Sequence, residues 1–278
     1  MESLTSMDKP ERHVLLVVEG DKAEKELVDA LFRAFNPNAK WHVHPYHTVI
    51  HDLIERIVDD YDGDYDNIEL CNVLADMLLE SQQLEREKLL NTKFTDVILM
   101  FDFDPQDNRL NPIELRKMLK SFDDSTDTDR GLLLLNYPAI ESVKEAAALG
   151  FEDFLDRYCY ITMGQSYKAS VNTLIGQQKG KFNSFKDYTS AHLTRAIAWT
   201  VSKVQHLLSE VPAEQTFRFS GKNDLAKTCR DLSRVDLLDY QLNEYFENGR
   251  VATCGTGPFF IAIWEKALDG AWKSLFGE

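Results

Sequence analysis

Three short apolar runs constrain this chain more than anything else in it. Residues 14–18 (VLLVV), 96–101 (DVILMF) and 131–135 (GLLLL) are apolar almost without interruption, so each must be covered on both faces. Strands of that kind belong in a parallel sheet with helices packed on either side. Residues 41–46 are expected as a further strand. Between the strands lie amphipathic stretches. Residues 22–35 carry Leu27, Val28, Leu31, Phe32 and Phe35 at helical spacing, and Asn36-Pro37-Asn38 ends that helix. Helices are also expected over 48–61 and 68–91, from Pro112 onward, and over 139–148. Beyond residue 150, helical patterns dominate at 151–157, 185–209, 222–229, 232–247 and 258–275. The expected fold class is therefore α/β. It has a flexible polar tail at 1–12, a domain at 13–150 with a helical insertion at 51–93, and a mainly helical C-terminal region at 151–278.

In a parallel sheet, ligands bind beyond the carboxyl ends of the strands. Here those ends are acidic or amidic. The first run is followed by Glu19, with Asp21, Glu24 and Glu26 on the opening of the next helix. The second leads into Asp102 and Asp104, with Asp107 close by, and the third into Asn136 and, a turn later, Glu141. Two acids two residues apart at a strand end point the same way. Side by side they repel unless a cation lies between them, and hard oxygen donors suit Mg²⁺ or Mn²⁺.

These residues resemble a TOPRIM domain, the Rossmann-like metal-binding module of topoisomerases, bacterial primases and the OLD-family and RloB-like nucleases. The resemblance rests on Val17-Val18-Glu19-Gly20 and on Phe101-Asp102-Phe103-Asp104. Glu19-Gly20-Asp21-Lys22-Ala23-Glu24 and Asn136-Tyr137-Pro138-Ala139-Ile140-Glu141 are closer to the OLD and RloB-like branch, the second with one residue inserted. The resemblance implies a metal site of Glu19, Asp102 and Asp104, with Glu24 and Glu141 as further ligands. It also implies Mg²⁺- or Mn²⁺-dependent hydrolysis of DNA or RNA, in bacterial defence against phage beside a separate ATPase subunit. The alternative is a non-catalytic regulatory subunit with a vestigial pocket.

Charge bears on how nucleic acid would be held. Residues 1–150 carry 16 Lys+Arg against 31 Asp+Glu, whereas 151–278 carry 15 of each. The acidic half repels a phosphate backbone at long range, so contact must come from local cations, metal ions or a partner. Lys168, Lys179, Lys181 and Lys186, interleaved with Tyr167, Phe182 and Phe185, are the expected substrate contacts, and a second basic group runs from Arg218 to Arg234.

Other patterns are set aside. His42, His44, His47 and His51 are joined by no Cys and interrupted by Pro45, so they are expected as exposed or hydrogen-bonded side chains rather than a zinc site. Residues 60–69 place Gly63 wrongly for a calcium-binding loop. No GxxxxGK[ST] motif occurs, so no Walker-type ATPase is encoded here. Four scattered cysteines, no apolar run of membrane-spanning length and no secretory pattern at the start give the expectation of a cytoplasmic protein.

Overall fold

The computed structural model describes residues 11–35, 37–160, 166–177, 182–209, 219 and 222–264. Most of the expected tail, Lys179, Lys181, Arg218 and the last part of the 258–275 helix lie outside the described residues.

All three apolar runs are strands, and each is buried. β1 (Arg12–Val18), β2 (Ala39–Pro45), β3 (Asp96–Asp102) and β4 (Leu132–Tyr137) lie in the order β2-β1-β3-β4, every neighbouring pair parallel. The register sets Val18 against Met100 and Asp102 against Asn136. Alternate residues feed two separate cores, as a pleated strand requires. Val14, Leu16, Val18, Ile98, Met100, Leu132 and Leu134 face one core, with α1 (Ala23–Phe35), α6 (Glu141–Ala148) and most of α9 (Ser190–Leu208). Leu15, Val17, Val97, Leu99, Phe101, Leu133 and Leu135 face the other, with α2 (Ile50–Tyr61), α3 (Leu70–Met77), α5 (Pro112–Ser121) and α11 (Arg234–Asn248). Among the described residues, no helix is long and apolar enough to cross a membrane.

The structure departs from the expected elements in five places, two of them a helix over Ser166–Gln177 where none was expected and the 258–275 helix, which stops at Ile263 with Trp264 extended. The 68–91 helix is broken: Leu78 and Leu79 are extended, a short 3-10 turn covers Glu80–Gln82, and α4 (Gln83–Asn91) follows. The Gln82 side chain accepts from the Leu79 N–H at 3.0 Å, a local bond that competes with helix continuation. The 185–209 helix begins only at Ser190, where the Thr189 hydroxyl accepts the His192 N–H, while Phe185–Asp187 form a 3-10 turn. Three short strands were not expected: β5 (Tyr158–Tyr160) and β6 (Arg250–Ala252) form an antiparallel pair, and β7 (Cys254–Gly255) adds to the main sheet. Strands of two or three residues are too short to show a period.

β7 carries the C-terminal region into the first sheet, pairing antiparallel with Asn136 and Tyr137. That approach depends on small residues. A Cβ on Gly255 would lie 2.5 Å from Val143 Cγ2, and one on Gly257 would lie 2.5 Å from Met100 Sδ and 3.0 Å from Asn136 Oδ1. The remaining helices, α7 (Phe151–Leu155), α8 (Ser166–Gln177), α10 (Lys222–Asp231) and α12 (Phe259–Ile263), contribute to the core on the α1 side.

Candidate functional site

The strand order places β1 in the interior, with β2 on one flank and β3 on the other. The chain leaves β1 in one direction and resumes on its opposite side, so the carboxyl ends of β1 and β3 frame a crevice that the connections leave open. Glu19 follows directly on β1 and Asp102 closes β3. The Asp102 N–H donates to Glu19 Oε2 at 3.2 Å, tying the two strand ends together. Asn136, at the matching position on β4, donates from Nδ2 to Asp102 Oδ1 at 3.3 Å. Its own Oδ1 accepts the Gly257 N–H at 3.0 Å, so the loop after β7 aims the amide that holds Asp102.

Glu19, Asp102, Asp104, Glu141 and Lys168 line one cavity of about 400 Å³, with Asp107, Tyr167 and Pro138 among the other walls. Asp104 sits past the strand end in a turn, where its Oδ1 accepts the Gln106 N–H at 3.3 Å and its carbonyl oxygen is 3.1 Å from His51 Nε2. Asp107 is taken up by Arg109, which holds its carboxyl down at about 2. Glu24, on the first turn of α1, is buried and does not line the cavity, whereas Glu141, which opens α6, is buried and does. At the cavity's edge the exposed Lys168 brings its Nζ to 3.2 Å from Glu141 Oε1.

Crowding acids into this crevice disfavours their charged forms. Burial pushes the Glu19 carboxyl up to about 7; Glu24, Asp104 and Glu141 add to the shift, and the Asp102 N–H opposes it. Asp102 is raised well above the usual carboxylate range, by burial first and then by Glu19, Glu24 and Glu141, against the Asn136 bond. Glu24 is raised as well, mainly by burial. Repulsion among these groups is what a cation would relieve, and an all-oxygen donor set fits Mg²⁺ or Mn²⁺.

A different group holds its donor atoms closest together. Among the described residues, only His42, His44 and Glu85 have three ligating atoms within 4.8 Å of one another, and this group can hold a metal ion. The two histidines are hydrogen-bonded, as expected, and their third partner is not a cysteine but a carboxylate, Glu85. That residue lies 41 positions beyond His44 on α4, and no spacing rule links the two.

The expected substrate contacts divide. Lys168 reaches the cavity. Lys186 does not line it; its Nζ lies 3.2 Å from Glu26 Oε1 on α1. Tyr167, Phe182 and Phe185 are buried, so they are core residues and not stacking platforms for bases. The 164–186 stretch contains α8, whose Tyr167, Val171 and Ile175 repeat every four residues into the core. In the second basic group, Arg234 donates to the carbonyls of Phe122 and Leu133 and serves as a structural clamp. Two buried polar groups escaped the sequence reading: Lys203, which donates to the Phe154 and Arg157 carbonyls, and Glu145, held by Arg157 and Tyr167.

Comparison with protein-family models, curated proteins and solved structures finds no match for this chain.

Proposed function

We propose that the chain is a metal-dependent nuclease acting through the crevice between β1 and β3. The observation that carries this reading is the pair Glu19 and Asp102 at the point where the strand order reverses. The Asp102 N–H donates to Glu19, and both carboxyls are driven toward the protonated state by burial first and then by neighbouring acids. Such pairs are rare except where a cation or a proton is handled.

Glu19, Asp102 and Asp104 would hold Mg²⁺ or Mn²⁺, with Glu141 and Glu24 behind them. The cation supplies positive charge that offsets the carboxylates and the phosphoryl oxygens together. Lys168 at the rim binds a phosphate oxygen in place of Glu141 and brings the backbone toward the acids. The water that adds to phosphorus as the P–O ester bond breaks gives its proton to solvent, since Glu19 is committed to the cation. Solvent protonates the departing oxygen. Asn136 keeps Asp102 aimed and takes no part in proton transfer.

Work in phage defence beside a separate ATPase is the biological setting that the resemblance implies, and the acidic N-terminal half favours a partner that brings the substrate. A second reading, a binding subunit with an inactive pocket, draws on one observation: the acidic donor atoms are not gathered as closely as His42, His44 and Glu85. A cleavage assay separates the two. DNA and tRNA are incubated with Mg²⁺, Mn²⁺ or EDTA, using the wild type and Asp102→Ala. Metal-dependent cleavage that Asp102→Ala abolishes is expected. Cleavage that survives in Asp102→Ala would overturn the mechanism, and no cleavage together with no Mg²⁺- or Mn²⁺-dependent stabilisation lost in Asp102→Ala would favour the binding subunit.

A further inference from the structure

We propose a second, chemically distinct metal site: a zinc staple made by His42 and His44 of β2 and Glu85 of α4. β2 is an edge strand of the sheet, and residues two apart on a strand share a face. The two imidazoles therefore project together toward the inserted helices. His42 Nε2 and His44 Nδ1 both meet the same oxygen, Glu85 Oε1, at 2.7 and 2.8 Å. Two imidazoles from one strand and a carboxylate from a helix thus meet at one place, both histidines bonded to the same oxygen. His44 is buried and the other two are partly so.

The donor set selects the metal. Two neutral imidazoles and one carboxylate suit Zn²⁺ and disfavour Mg²⁺, which prefers oxygen and keeps its waters. Bonds of about 2.0–2.2 Å in a tetrahedral site set donors roughly 3.3 Å apart. The two N···O separations need to open by only about half an ångström, and the three donor atoms already lie within 4.8 Å of one another, so side-chain rotation can complete the site. Lys88 Nζ lies 3.7 Å from the other oxygen, Glu85 Oε2, and so orients the carboxylate from outside. The fourth position opens onto a cleft lined by Asp29, His47 and Gln82, which leaves room for water or a further ligand.

The fold supplies a use for the ion. Of α4 only Leu89 is buried, while Leu84 and Leu90 are exposed, so apolar packing holds this helix weakly. Glu85 is the residue that ties it to β2. A metal at this point would pin the insertion to β2 and fix the end of the edge strand, at a place separate from the acidic crevice.

The test uses the full chain, stripped of metal and then titrated with Zn²⁺ and, separately, with Co²⁺, whose visible bands report tetrahedral coordination. The wild type is expected to take one equivalent of Zn²⁺ into a tetrahedral site. His44→Ala and Glu85→Gln should weaken binding by at least about 100-fold, while Asp102→Asn retains it. Glu85→Gln preserves side-chain volume and an acceptor for both histidines, and circular dichroism checks that each variant is folded. A wild type that binds no Zn²⁺, or a tetrahedral Co²⁺ signal that survives Glu85→Gln or disappears in Asp102→Asn, would overturn the proposal.

Discussion

Replacing Glu19 with Gln should make the metal-free protein more stable while removing its response to Mg²⁺ or Mn²⁺. The reason is the penalty of charging a carboxyl in the crevice. Glu19 titrates at about 7 in the folded chain, against an ordinary 4.5. The folded state therefore holds its proton through a pH range in which the unfolded chain has lost it. Below the ordinary value both states are protonated and no penalty exists; as pH rises through this window stability is lost, and above the folded value the loss is complete. Linkage over pH 5 to pH 8 gives about 2.5 kcal/mol for this one group. Water reaching the partly exposed side chain reduces it to about 1–2.5 kcal/mol. Gln is isosteric, can still accept the Asp102 N–H, and carries no charge. Metal-free Glu19→Gln is thus expected to melt higher than wild type at pH 8, by about 2–4 °C per kcal/mol, and by far less at pH 5, close to the ordinary carboxyl value. Saturating metal reverses the order: at one hundred times its dissociation constant it stabilises wild type by about 2.7 kcal/mol and the variant by much less. Differential scanning fluorimetry at pH 5 and 8, with EDTA or Mn²⁺, measures all four states. A Glu19→Gln protein less stable than wild type at pH 8 in EDTA, or equal stabilisation of both by Mn²⁺, would refute the reasoning.

Three other outcomes follow from the same geometry. Gly257→Ala places a Cβ 2.5 Å from Met100 Sδ and 3.0 Å from Asn136 Oδ1. It should lower stability by about 1–3 kcal/mol and weaken Mn²⁺ binding through the displaced amide, as thermal melts and metal titration will show. Lys168→Ala, at an exposed side chain, should leave the melting temperature within about 1 °C and raise KM for nucleic acid, with a shallower salt dependence of binding. Lys203→Ala removes a buried ammonium that donates to two backbone carbonyls, and chemical denaturation should show a loss of about 3 kcal/mol.

Much of the site was legible before any tertiary structure, because it stands at strand ends. A strand buried on both faces must be a continuous apolar run, and the first residues able to meet a ligand are those just past it. Glu19, Asp102 and Asn136 could therefore be found from the runs that precede them. Lys186, Phe182 and Phe185 could not be judged in that way. A lysine or an aromatic ring in a polar stretch has no neighbours in the sequence that say which way it points. Tyr167 packs into the core with Val171 and Ile175, and its hydroxyl donates to Glu145 at 3.0 Å, 22 residues away.

By itself the sequence determined the α/β class, the strands β1, β3 and β4, and the acidic character of their ends, since each follows from local periodicity and the requirement to cover apolar surface. Tertiary structure decided the rest. It brought β7 beside β4, although two residues have no period to read, and so let Gly257 orient Asn136 toward Asp102. It also set Glu85 on His42 and His44, whose meeting depends on how an inserted helix folds back over an edge strand. Contacts of that kind are fixed by packing across long stretches of chain, and no rule of spacing along the chain contains them.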